Sequence, residues 1–235
     1  MHMSQTHQPP AAGTDTAATL SSTPPLMRRL REHTAPTHRA TEALPLMRHV
    51  LTDHPTAAGY AEYLAALQGV YLAVEPALYA ATPASVITTL GIEPKLPALQ
   101  QDLQALLGAA PAAPPPRPAP DTRAAVHRLL NGPAESRVAA ALGGLYVLEG
   151  ATLGGQVIAR HLRAQWPPGV NLPTAFLEFR LEHPGLGWRG FGAALDRWAG
   201  RHPGSDRAIL DGAMGVFRLM HKAFADVDPS TNCNR

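Results

Sequence analysis

The chain has 235 residues, of which 45% are hydrophobic, 6% aromatic and 16% charged, and its formal net charge is +2 at pH 7. This composition excludes a fully disordered chain, and the scarcity of aromatic residues argues against an all-β protein. The basic residues form no concentrated stripe, so nucleic acid is not an expected partner. Cys233 is the only cysteine, and the chain therefore cannot form an internal disulfide.

The first predicted elements are a tail and three helices. Residues 1–25 are rich in Thr, Ser, Pro and Ala, and they predict a disordered tail without a signal peptide or membrane anchor. A helix kinked at Pro36 is predicted over Leu26–Leu44, and a short helix over Leu46–Thr52. Apolar residues from Tyr60 to Leu78 recur at spacings of four and three, which is typical of one face of a long helix.

Prolines mark the boundaries in the middle of the chain. A loop is predicted over Pro83–Pro97, followed by a short helix to Leu107 and an extended, proline-rich loop over residues 108–121. Helices are then predicted over Thr122–Leu130, Ala134–Gln165, Trp188–Arg201 and Asp206–Asp226. We therefore expect one all-α domain of about eight helices over residues 26–226 and a second tail over residues 227–235.

Five glycines interrupt the longest predicted helix, at positions 143, 144, 150, 154 and 155. Each costs about 0.8–1 kcal/mol relative to alanine, so roughly 4–5 kcal/mol of helix stability is lost here. Gly143, Val147, Gly150 and Gly154 recur at i, i+4, i+7 and i+11, which gives one face with little side chain. Such a face admits either a closely packed helix or a flat ligand, and the spacing leaves both interpretations open.

Four polar residues share one face of the first predicted helix. They are Arg31, Thr34, His38 and Glu42, at i, i+3, i+7 and i+11. A carboxylate four residues after a histidine can accept its second ring N–H and fix the tautomer that a metal ligand requires. The alternative is an ordinary histidine beside an ion-pair neighbour, because the chain has eleven histidines.

Together, these two helices resemble the heme oxygenases, in particular their bacterial, biliverdin-producing branch. The resemblance rests on LREHTAPTHRATE at Leu30–Glu42, GYAEYLAALQGVYLAVE at Gly59–Glu75 and YVLEGATLGGQVIARHL at Tyr146–Leu162, and it extends over about residues 26–226. It implies a helical bundle with heme between the first helix and a glycine-kinked distal helix.

For the proximal side of heme, the resemblance implies that His38 is the axial iron ligand and that Glu42 steadies it. Arg31 matches a basic position that neutralises a heme propionate in relatives, and Arg189 is a second candidate for this contact. Phe217 matches an aromatic position against the macrocycle.

For the distal side, the resemblance implies that Gly150 and Gly154, with Gly155 alongside, let the helix backbone approach the porphyrin and leave the oxygen site free of side chains. Ala151 stands where some relatives carry an aspartate. The water network over the porphyrin is therefore expected to use backbone carbonyls or Thr152.

The resemblance implies that heme is both cofactor and substrate, and that O2 opens its ring to give biliverdin, carbon monoxide and ferrous iron. The sequence has no flavin or nicotinamide fingerprint, so we expect an external electron donor such as ferredoxin or an NADPH-dependent reductase. The reaction is expected to serve either a bilin-using photoreceptor as partner or the acquisition of iron, and the sequence leaves both open. The expected location is the cytoplasm, without membrane attachment.

Two other functions remain open from the sequence. One is a heme carrier or sensor on the same fold, which binds heme without degrading it. The other is a helical interaction module whose glycine face packs on a partner.

Overall fold

The computed structural model describes residues 25–108, 120–179 and 187–227, and within these ranges the chain forms nine helices and no strand. The helices are α1 (Leu26–Glu42), α2 (Pro45–Val50), α3 (Ala57–Ala81), α4 (Ala84–Leu90), α5 (Leu96–Leu107), α6 (Pro120–Leu129), α7 (Ala134–Gln165), α8 (Trp188–Arg201) and α9 (Asp206–Ala225). The all-α fold expected from the sequence is confirmed. The two expected tails and most of the proline-rich loop lie outside the described residues.

The observed helices differ from the predicted ones mainly in the middle of the chain. The loop predicted over Pro83–Pro97 contains α4, which starts after Pro83 and ends at Gly91 in the left-handed conformation, with φ of 64°. α6 begins at Pro120, inside the stretch predicted to be extended, because proline is well tolerated in the first turn of a helix. α7 and α8 have the predicted bounds.

The α7–α9 interface depends on glycine in both helices. A Cβ atom on Gly143 would overlap the backbone carbonyl of Ile209 and would lie 2.7 Å from the Ala213 nitrogen. Conversely, a Cβ atom on Gly212 would lie 2.8 Å from the Cα atom of Ala140. Since real Cβ atoms do not approach this closely, any side chain at either glycine would force the two helices apart.

α9 also packs against α1. The Thr37 hydroxyl lies 3.4 Å from the sulfur of Met214, and the Thr41 hydroxyl lies 3.2 Å from Nδ1 of His221. Both α1 and α7 pack more extensively on α9 than on each other. α9 is therefore the common support of the two helices that carry the predicted site.

α3 and α7 are long and apolar enough to cross a membrane, with a mean hydropathy of 1.3 in each. In their most apolar windows, 44% and 61% of the residues respectively are buried inside the fold. All nine helices contribute side chains to one apolar core. The two long helices are thus core helices and do not indicate a membrane protein.

Candidate functional site

His38 lies on the fourth turn of α1 with its side chain 54% exposed. Its Nδ1 atom is 3.2 Å from Oε2 of Glu42, as the i, i+4 spacing predicts. This contact leaves Nε2 as the nitrogen that can bind a metal. The half-buried ring of Phe217, from α9, stands edge-on to the imidazole with centroids 5.7 Å apart. The imidazole is therefore oriented by two neighbours while one of its nitrogens remains accessible.

Thr34 and Tyr146 connect α1 to α7. A hydrogen bond joins their side chains, and both residues are buried. Burial raises the pKa of the Tyr146 phenol, while the bond to Thr34 and the charge of Arg31 act in the opposite direction. Thr34 is one turn before His38, and Tyr146 is one turn before Gly150. The connection therefore places the histidine and the second group of α7 glycines in the same region of the fold.

The glycines of that second group differ in what surrounds them. Gly154 is exposed, and a Cβ atom built on it would have no neighbour within 4 Å. Gly150 lies under Trp188, whose Cη2 atom is 3.3 Å from the position that a Cβ atom would take. Gly155 packs on the backbone of Leu177, and a Cβ atom built on it would lie 2.7 Å from the Leu177 carbonyl oxygen. Gly154 thus has the open backbone face that a flat ligand requires.

Trp188 belongs to an aromatic group that covers this part of α7. Its ring is tilted against Tyr146, with centroids 5.2 Å apart, and stacked on Phe191 at 5.7 Å. It is the first residue of α8 and is followed directly by the exposed Arg189. Trp188 was not singled out from the sequence, although its place next to a predicted propionate partner is a signal that could have found it.

Thr152 lies on another side of α7 from Gly150. Its hydroxyl accepts a hydrogen bond of 2.7 Å from the Nζ atom of the buried Lys95. Thr152 is therefore held by a neighbouring side chain instead of facing the open space at Gly154, and the backbone carbonyls remain as the expected anchors for water. Lys95, too, went unrecognised in the sequence, although it is one of only two lysines in a chain whose other basic residues are arginines.

The side chains at this site suit a metal ion whose other ligands belong to a cofactor. In the described part of the chain, no group of three or more His, Cys, Asp or Glu side chains could hold a metal ion. A porphyrin supplies four nitrogens to its iron and requires only an axial ligand from the protein, and the exposed imidazole of His38 can be such a ligand. A separate cavity of about 600 Å³, between α3, α6 and the start of α7, contains none of the predicted site residues.

Comparison with known proteins gives an independent result. The heme oxygenase family model matches residues 24–226. A heme oxygenase of Xanthomonas campestris pv. campestris is 37% identical over 131 residues, which cover 56% of this chain and 67% of that protein.

Among solved structures, the heme oxygenase of Leptospira interrogans matches with a TM-score of 0.69 and 24% identity, over 86% of this chain and 100% of that one. Heme oxygenase-1 of the cyanobacterium Synechocystis, solved in complex with heme, matches with a TM-score of 0.62 and 18% identity, over 88% of this chain and 93% of that one. These two likenesses concern the fold. With the family match over most of its length, the chain belongs to the heme oxygenase family and is an enzyme of heme degradation.

Proposed function

We propose that this enzyme binds heme between α1 and the second half of α7, with His38 as the iron ligand, and converts it to biliverdin, carbon monoxide and ferrous iron. The observation that supports this proposal most strongly is the contact between Nδ1 of His38 and Glu42, at 3.2 Å. It favours the tautomer with the proton on Nδ1 and the lone pair on Nε2, which is the form that binds iron.

On the proximal side, Glu42 and Phe217 hold the imidazole. Glu42 accepts a hydrogen bond from the Nδ1–H group, which fixes the tautomer and the rotation of the ring. Phe217 limits the tilt of the ring through its edge-on contact. We infer that Phe217 also contacts the macrocycle.

On the distal side, the backbone at Gly154 and Gly150 would contact the porphyrin face. Gly154 has space for a ligand, and a Cβ atom on Gly150 would lie 3.3 Å from Trp188, so only a residue without a side chain leaves room there. Gly155 contributes to the site indirectly, because it lets α7 pack directly against the backbone of Leu177. Heme supplies the iron that activates O2, and α7 contributes a surface without an acidic or basic side chain at Gly150, Ala151 and Gly154, so oxidation is directed to the porphyrin itself.

Arginines provide the expected partners of the heme propionates. Arg31 is exposed on α1, two turns before His38, and its charge acts on Tyr146 at the connection between α1 and α7. Arg189 is exposed next to Trp188. Guanidinium groups bind carboxylates with two parallel hydrogen bonds, which would fix the rotation of heme about its axis.

The reaction consumes O2 and electrons, and we propose that an external donor, a ferredoxin or an NADPH-dependent reductase, supplies the electrons. The cytoplasm is the proposed location. A bilin-using photoreceptor is the proposed recipient of the product.

The experiment that tests the proposed function is aerobic reduction of the hemin-loaded protein. With ascorbate or a ferredoxin system, the Soret band should decay, a bilin absorption should appear, and a chelator should trap ferrous iron. A heme carrier or sensor would retain intact heme and release no iron. Intact heme after prolonged reduction in air would contradict the proposal.

A further inference from the structure

Lys95 is a buried cation directly behind the proposed distal surface. It precedes the first residue of α5 and is only 2% exposed. Its Nζ atom donates to the carbonyl of Leu148 at 2.7 Å and to the hydroxyl of Thr152 at 2.7 Å, and it lies 3.1 Å from Oε1 of Glu149. One side chain from outside α7 thus contacts three residues within about one turn of that helix.

The contacts match the chemistry of lysine. An ammonium group has three N–H donors in a compact tetrahedral arrangement, and the three oxygens around Nζ give each donor a partner. Arginine, the common cation of this chain, carries five donors in a planar fork that fits a carboxylate better than three separate oxygens. Burying a cation is unfavourable unless its donors are satisfied, and here they are.

The backbone around Lys95 is also held in place. Glu75 of α3 accepts hydrogen bonds from the Lys95 amide at 2.7 Å and from the Leu96 amide at 2.9 Å. Burial raises the pKa of Glu75, and the two amide bonds and the charge of Lys95 act against this shift. The nearby Tyr71 hydroxyl is buried without a hydrogen-bond partner among the described residues. The backbone of Lys95 is therefore fixed in position, and its side chain extends from there to α7.

The turn of α7 that Lys95 contacts is the one that contains Gly150. At about 100° per residue, Thr152 lies about 200° around the helix from Gly150, whereas Gly154 lies about 40° from it. Lys95 consequently holds the side of α7 opposite the open face. Glycines leave this turn weak as a helix, and a side chain that bonds a helix carbonyl from outside favours bending at that point.

We infer that Lys95 is a positioning residue of the heme site, which fixes the turn Leu148–Thr152 and thereby sets where the backbone of Gly150 and Gly154 stands relative to His38. The inference rests on the proposed function, since it concerns the distal surface of the same site. It also gives Glu149 a role as a partner of Lys95 instead of a contact with substrate.

The first test needs no heme. In Lys95→Met, amide hydrogen exchange over residues 148–155 of the apo-protein should be faster by at least about tenfold, because the turn loses its external donors. Thr152→Val removes one acceptor and should have a smaller effect in the same segment, so the test remains available even where Lys95→Met fails to fold. Lys222→Met is the matched control, since Lys222 is exposed and pairs only locally with Asp226 at 2.7 Å; it should not change exchange in this segment.

The second test uses the hemin-loaded, reduced protein with carbon monoxide as a probe. The C–O stretching band should shift in Lys95→Met and, less, in Thr152→Val, but not in Lys222→Met, whereas a role in overall stability alone would leave the band in place. Native exchange rates together with an unshifted band in a folded Lys95 or Thr152 variant would overturn the inference. A wild-type protein with no saturable heme site would instead overturn the proposed function, and the two failures are therefore distinguishable.

Discussion

In the first half of α7, Gly143 and Gly144 pack directly against neighbouring helices and are therefore closed to any side chain, whereas in the second half Gly154 faces open space. A Cβ atom on Gly144 would lie 2.7 Å from a methyl group of Leu78 in α3, and one on Gly143 would enter the backbone of α9. The close-packing interpretation of the glycine pattern therefore holds for Gly143 and Gly144, whereas Gly154 keeps an open backbone face on which the flat-ligand interpretation stays a prediction. The helix stability that the closed glycines cost is offset by packing, whereas the cost at Gly154 is not offset within the protein.

Gly143→Ala should have the largest effect on stability. Its Cβ atom would overlap the Ile209 carbonyl, so α7 and α9 must separate, and we expect a loss of about 3 kcal/mol or more in the free energy of unfolding. Thermal unfolding followed by circular dichroism measures this loss. Gly69→Ala in α3 is the control, because a Cβ atom there has no neighbour within 4 Å. Equal melting temperatures for the two variants would show that Gly143 is not a packing residue.

Gly154→Leu should leave the fold intact and weaken heme binding. Its side chain would occupy the open face of α7, and we expect hemin affinity to fall by at least about tenfold, or about 1.4 kcal/mol. The same change at Gly200 is the control, since this α8 glycine is also exposed with an open Cβ position. Hemin titration followed in the Soret region measures both. Wild-type affinity in Gly154→Leu would place heme elsewhere.

Gly154→Ala should stabilise the apo-protein by about 0.8–1 kcal/mol, because alanine favours a helix and nothing obstructs the new methyl group. Gly155→Ala, one residue later, should be destabilising, since its Cβ atom would lie 2.7 Å from the Leu177 carbonyl oxygen. Urea unfolding of the two variants gives the comparison. The same sign of change in both would contradict the distinction between an open and a closed glycine.

Arg163→Met should have the smallest effect, and one that depends on pH. Arg163 of α7 pairs with Glu178, next to the segment that closes Gly155, and holds the pKa of this carboxyl below its ordinary value of 4.5. Because the pKa of Glu178 is lower in the folded than in the unfolded state, the ion pair stabilises the fold at pH values above 4.5. This contribution is lost as the pH falls through the folded-state pKa. Since Arg163 is 54% exposed, we expect a loss under about 1 kcal/mol at pH 7. Urea unfolding should show this difference shrinking in acid; a difference that grows there would contradict the assignment.

The local parts of the site could be predicted from the sequence. His38 and Glu42 face each other because helix geometry alone brings residues four apart together. The bounds of α7 follow from the Asn131–Pro133 break and from the prolines after Gln165. α4 was missed because its single apolar turn is short and flanked by prolines.

The long-range parts could not be predicted in this way. Whether a glycine of α7 is closed depends on residues distant in sequence, such as Ile209 at Gly143 and Leu177 at Gly155. The same holds for Lys95, whose partners on α7 lie more than fifty residues away, and for Trp188 over Gly150. Periodicity shows which residues share a helix face but not what packs against it.

The measurement that tests the central claim most directly is the iron–histidine stretching band in the resonance Raman spectrum of the reduced, hemin-loaded protein. If His38 is the axial ligand opposite the open half of α7, the wild type shows this band, His38→Ala loses it, and added imidazole restores it. An unchanged band in His38→Ala would mean that another of the eleven histidines binds the iron, and it would contradict the account.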